Sequence, residues 1–292
     1  MIRATRSSLV DLIRRETAMQ SNLLGEVQAQ AITGRKLQRP SDDPVAIVAA
    51  QRMSSVVADQ DVWAANAELA VSAQDVADSA LANVNDILVR ARELAVAMAG
   101  DTVDARARAT AAIEARGLQD ALTSAANTQF DGRYLFSGAS WDTASFAADG
   151  TYGGDTFEPT ARVGEDRWVQ IAFDGSAIFA GTADVFGTLE ALAVALETND
   201  AAGVGTTLDS LEDATDQVSN ARGEIGVQTQ IAEDASRVAG ALGVVFGERL
   251  SALTVANQVE TYTRLNELQS AYESTLQVAA STTTKSLLDY LG

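Results

Sequence analysis

Residues 73–98 read AQDVADSALANVNDILVRARELAVAM. Ala73, Val76, Ala80, Ile87, Ala91, Leu94 and Met98 recur at spacings of three, four and seven, which draws one apolar seam of heptad character along a helix. The chain has only three prolines, Pro40, Pro44 and Pro159. Between Val45 and Glu158, therefore, no proline interrupts a helix. The pattern predicts a helix over 45–99, about 80 Å long by the rise of an α-helix. A compact globular domain rarely needs such an element. Rods of this length belong to coiled coils or filament subunits, in which partners cover the apolar stripe.

Upstream of this rod, residues 2–34 also read as helix. Ile2, Leu9, Leu12, Met19 and Leu23 fall near helical spacings, Glu16 breaks the seam, and Gly34 is placed as a C-cap. Pro40, Ser41, Asp42, Asp43 and Pro44 form a turn, with Asp42 or Asp43 capping the next helix and Pro44 in its first turn. Downstream, Gly100 and Asp101 mark a turn before a helix over 103–128. The texture changes after Asn127. Residues 130–186 hold 11 of the 16 aromatics and are rich in glycine. Thr156–Val163 and Arg167–Phe173 read as strands joined at Gly164, which predicts a small β-rich insertion over 139–183.

Helix then returns over 184–198 and breaks at Asn199 and Asp200. It resumes as a heptad run over 204–246 through Leu208, Leu211, Thr215, Val218, Arg222, Ile225, Thr229 and Ala232. A last helix over 248–286 carries Leu265, Leu268, Tyr272, Leu276 and Ala279 on one stripe. The expected fold is mainly α, with long antiparallel helical rods, terminal coiled-coil-like helices and a small β-rich insertion. The expected domains are an N-terminal arm (1–39), a rod built from 40–138 and 184–247, the insertion (139–183) and a C-terminal arm (248–292). The terminal stripes have little local chain to cover them, and isolated helices of this kind are marginal in water.

Composition narrows the chemistry. The net charge is −19, which opposes nucleic-acid binding. Residues 1–39 carry a net +4, whereas residues 140–220 carry −13, as a solvated outer surface would. With no cysteine and no histidine, thiolate chemistry, His-based acid–base catalysis and the usual zinc sites drop out. No acidic pair has the context of a catalytic site, and Gly150–Gly154 lacks the lysine of a phosphate loop. No enzyme, cofactor or metal site is expected. No stretch reaches the length of a membrane helix, so membrane insertion is not expected. Arg14, Arg15 and Glu16 interrupt any secretory apolar core.

Several residues stand out for assembly. Gly132, Arg133, Tyr134, Phe136 and Gly138 sit where rod meets insertion and read chiefly as a turn and seam. Arg222 lies on an apolar seam near Glu224, as either a rod contact across a subunit boundary or a solvated or intrachain pair. Leu287, Leu288, Tyr290 and Leu291 make an apolar tip that reads as an interaction surface. With Leu265, Leu268, Tyr272 and Leu276 they form the candidate assembly stripe.

Four landmarks carry a family resemblance. They are Gly34-Arg-Lys followed by Pro40-Ser-Asp-Asp-Pro44; Asn127-Thr-Gln-Phe-Asp-Gly-Arg-Tyr-Leu-Phe-Ser-Gly138; Ala221-Arg-Gly-Glu-Ile-Gly226; and Ser286-Leu-Leu-Asp-Tyr-Leu291. In this order the chain resembles the flagellar hook-associated protein 3 family, the hook–filament junction proteins of the flagellin superfamily, over roughly 1–138 and 184–292. The resemblance implies a structural subunit of the bacterial flagellum. It would be exported through the flagellar type III apparatus without a cleaved signal, and its C-terminal region would bind a cytosolic chaperone. It would self-assemble into a ring outside the cell between the proximal hook-associated protein and flagellin. A minor flagellin that builds the filament itself is the nearest alternative, and a cytosolic coiled-coil scaffold a more distant one.

Overall fold

The structure is a computed structural model that describes the backbone of residues 2–39 and 43–291 and the side chains of residues 8, 10–39 and 43–281. Helices dominate: α1 (Ile2–Thr33), α2 (Pro44–Met98), α3 (Ala105–Ala126), α4 (Gly175–Phe179), α5 (Val185–Glu197), α6 (Ala201–Thr254) and α7 (Gln258–Leu291). Two short antiparallel hairpins complete the set, β1 (Gln129–Phe130) with β2 (Arg133–Tyr134), and β3 (Thr160–Arg162) with β4 (Trp168–Gln170).

Short polar side chains start most of these helices, because a carboxylate or amide oxygen can take the otherwise unpaired amides of a first turn. Asp43 Oδ1 accepts from Val45 and Ala46 N–H, Asp104 from Ala107, Asp184 from Gly187 and Asp200 from Gly203. Asn257 does the same for α7. Gly34 closes α1 at φ 68°, a left-handed conformation that suits glycine.

The chain divides into two compact units, residues 59–242 and residues 1–58 with 243–292. The first has a continuous core. Leu81, Val84 and Leu88 of α2, Leu122 of α3, Leu189, Leu192 and Leu196 of α5, and Leu211 and Val218 of α6 are buried together. The α2 seam expected from the sequence is buried or half-buried along its length. A second buried row, Ala77, Leu81, Val84, Leu88 and Ala95, joins it, so this helix is covered over a wider arc than a coiled-coil seam. On the surface, Arg116 of α3 bridges Glu190 and Glu197 of α5, and those hydrogen bonds hold both carboxylates below their usual range.

At one end of this bundle Arg108 is only 3% exposed. Its guanidinium donates to the carbonyls of Met98 (3.0 Å) and Gly100 (2.7 Å) and to Asn199 Oδ1 (2.6 Å). It thereby ties the α2–α3 turn to the α5–α6 turn, where Asn199 stands at φ 56°. The negative end of the α2 macrodipole favours a cation there.

The insertion packs its rings onto the bundle. Phe146 stacks on Phe186 at 4.7 Å and meets Phe179 edge-on at 5.1 Å, and Phe136 meets Phe179 edge-on at 5.5 Å. The strands are shorter than the sequence predicts, three residues each in β3 and β4. Pro159 has no N–H to give, and Asp155 takes the Phe157 N–H in a local turn, so pairing cannot extend back to Thr156.

A second difference lies near the C-terminus. The sequence predicts a break at about 247, whereas α6 runs on to Thr254 and the break falls at Val255–Asn257. The loop after α1 fixes it there. Lys36 N–H donates to Thr254 O, Ala256 N–H donates to Gly34 O, and Arg35 bridges Val255.

Candidate assembly surfaces

In the unit of residues 1–58 and 243–292, α1 and α7 pack against each other and run antiparallel. Arg35 faces Val255 at one end, and residues 10–21 face residues 272–279 further along. Tyr272, Leu276 and Ala279 of α7 lie on this face. Leu265, Leu268 and Tyr272 are half-buried, whereas Leu276 stays exposed. A groove of about 470 Å³ remains between the helices, lined by Val10, Ile13, Thr17, Tyr272 and Leu276 among others, with Arg14 at its edge.

This unit has almost no core. Among its described side chains only Val27, Ala50, Ala256 and Thr261 are buried. Against them stand Ile32 at 84% exposure, Val45 at 79%, Val259 at 78%, and Val10, Met19 and Tyr262 at more than half. An apolar side chain of Leu or Val size gains about 1.5–3 kcal/mol when fully buried. The unit leaves most of that gain unrealised.

The remaining sequence-selected residues fall at distinct places. Of the turn, Pro40, Ser41 and Asp42 lie outside the described residues; Asp43 caps α2 and Pro44 is its first residue. The side chains of Leu287, Leu288, Tyr290 and Leu291, and of Ile2 and Leu9, also lie outside the described residues.

Gly132, Arg133, Tyr134, Phe136 and Gly138 come together at one corner of the 59–242 unit. Asp131 (φ 51°) and Gly132 (φ 73°) make the two-residue turn of the β1–β2 hairpin, both left-handed as such a turn requires. Arg133 lies over the Trp141 ring at 4.8 Å, and Tyr134 N–H donates to Trp141 O. Phe136 is fully buried. Gly138, at φ 61°, lies so close to Asp155 O that a Cβ would fall 2.0 Å from it.

Arg222 and Glu224 do not meet. Arg222 makes a two-pronged pair with Asp78 of α2, Nε to Oδ1 at 2.8 Å and Nη2 to Oδ2 at 3.2 Å. Glu224 lines a cleft of about 690 Å³ with Glu158, Asp174, Asp213 and Asp216. Sequence reading did not single out Asp78 or Arg108. Asp78 falls within the α2 pattern, and a polar residue beside an apolar seam is the signal that marks it. Arg108 has no comparable local mark, because Asn199 lies 91 residues away. Among the described residues no group of three or more acidic side chains is placed to hold a metal ion, and no helix is long and apolar enough to cross a membrane.

The profile of the bacterial flagellin N-terminal helical region matches residues 10–140. Over that stretch the chain is similar to the bacterial flagellins. The chain is also similar to flagellar hook-associated protein 3 of two bacteria. The Escherichia coli protein of that name is 28% identical over 225 residues, covering 68% of this chain and 71% of its own length. The Salmonella typhimurium protein is 32% identical over 158 residues, covering 53% of this chain and 49% of its own. Bacillus cereus FlgL shares the fold at 20% identity, with a TM-score of 0.60 over 70% of this chain and all of the other.

Proposed function

We propose that the chain is a structural subunit of the bacterial flagellum that joins the hook to the flagellin filament. One observation carries the reading: among its described side chains the α1–α7 unit fully buries few apolar residues and leaves many exposed. Equivalent helices of neighbouring copies would cover those faces and close a ring. Similarity to hook-associated protein 3 in two bacteria supports the flagellar setting and a structural, non-enzymatic role.

In this proposal α1 and α7 are the assembly arms, and Leu265, Leu268, Tyr272 and Leu276 belong to the stripe that copies share. The apolar tip of Leu287, Leu288, Tyr290 and Leu291 extends it. The turn at Pro40–Pro44 sets how the N-terminal arm leaves the rod, the corner at Gly132–Gly138 joins rod to insertion, and Arg222 serves as a contact within the rod. The acidic insertion faces outward. The partners are the proximal hook-associated protein on one side and flagellin on the other, with a cytosolic chaperone before export through the type III apparatus.

Immunogold labelling of intact flagella tests the assignment. A narrow band at the hook–filament boundary is expected. Label distributed along the filament would overturn the junction role in favour of a filament subunit.

A further inference from the structure

We infer that the β3–β4 hairpin is a strap that holds α2 and α6 together at a level where the helix residues buried in their shared core are alanines. At this level the buried helix residues are alanines, Ala67 and Ala70 of α2 and Ala232 and Ala235 of α6. The larger buried side chains come from the hairpin. Val163 (3% exposed) and Val169 (1%) complete the same small core, with Ile171 after the hairpin, Val71 of α2 and Ile231 of α6 half-buried at its edge. Elsewhere along the pair, Leu, Val and Ile from the helices themselves do this work.

The hairpin is anchored to α2 at both ends. Asn66 Nδ2 donates to Arg162 O at 2.8 Å, and Gln74 Nε2 donates to Gln170 O at 2.8 Å. These anchors sit eight residues apart, about 12 Å along the helix axis. Gln74 is wholly buried, so its bond to the hairpin has no aqueous substitute. At the turn end the Arg162 guanidinium lies over two rings, Trp63 of α2 at 5.5 Å and Trp168 of β4 at 5.9 Å. Its Nε also donates to Gly164 O, which holds the side chain across the turn. Two amide anchors, a pair of valines and a cation shared between two rings fix the hairpin on α2 while its valines reach α6.

Amide hydrogen exchange of the full chain tests the strap. In a Val163→Ser, Val169→Ser double variant, amides of 64–73 and 230–238 should exchange about tenfold faster, while 84–95 and 211–225 keep their rates. Asn66→Ala leaves the valines in place and should speed the same two segments by about threefold. If the double variant unfolds throughout, Asn66→Ala decides alone. Unchanged rates at 64–73 and 230–238 in Asn66→Ala would overturn the inference. So would faster exchange of the hairpin amides 160–170 in the double variant with both helices still protected, because the hairpin would then be a passenger.

Discussion

Gly138 and Gly132 are both left-handed, yet only one is crowded. At Gly132 an added methyl meets open space, so Gly132→Ala should cost about 1–2 kcal/mol, the ordinary penalty for that backbone region. At Gly138 the methyl would collide with the Asp155 carbonyl, and Gly138→Ala should cost more than about 3 kcal/mol. Urea midpoints of the two variants check the contrast. Tyr152 offers a second test. Burial pushes its phenol up to about 12, with the nearby Asp174 charge adding to the shift, against an ordinary value of about 10. Folding thus favours the neutral phenol. Its contribution is whole below pH 10 and lost as pH rises towards 12. Unfolding midpoints should fall across that interval, and Tyr152→Phe should flatten the fall. The sequence suggests a turn and seam at Gly132, Arg133, Tyr134, Phe136 and Gly138. It did not show that Gly138 abuts Asp155, since that approach needs the chain folded back across seventeen residues.

Helices were the most legible elements. Periodicity, Pro44, the cap at Asp42 or Asp43 and the break at Asn199-Asp200 put most ends within a few residues of the sequence reading. The end of α6 was not legible. Gly247 is a local breaker worth about 1 kcal/mol, and the helix runs through it. The true break depends on Gly34, Lys36 and Arg35, which lie more than 200 residues away in sequence. The strands of residues 160–170 are shorter than the sequence predicts because the turn at Asp155 leaves no mark in the local pattern. The α2–α6 pair offers an energetic test. Arg222 and Asp78 are part-exposed, so their two-pronged bond is worth less than a buried one. A double-mutant cycle with Arg222→Met and Asp78→Asn should give a coupling of about 0.5–1 kcal/mol. A value near zero would mean that the pair only decorates the seam.

The two units differ most in how they bury apolar surface. Exchange of the lone chain in dilute solution should follow that difference. Amides of α1 and α7 should exchange with little protection, while α2 from 73 to 95 and α6 from 211 to 225 should approach the protection of global unfolding. Strong protection throughout α1 and α7 would show the helix pair to be complete by itself. Uncovered faces also have a colloidal consequence. Lone copies bearing greasy helices stay apart in water because each carries a net −19, and that repulsion reaches only as far as the ion atmosphere allows. The reach shrinks from about 10 Å at 0.1 M salt to about 3 Å at 1 M, while the attraction of apolar faces persists. The critical concentration for association should therefore fall as ionic strength rises, a dependence that light scattering can follow.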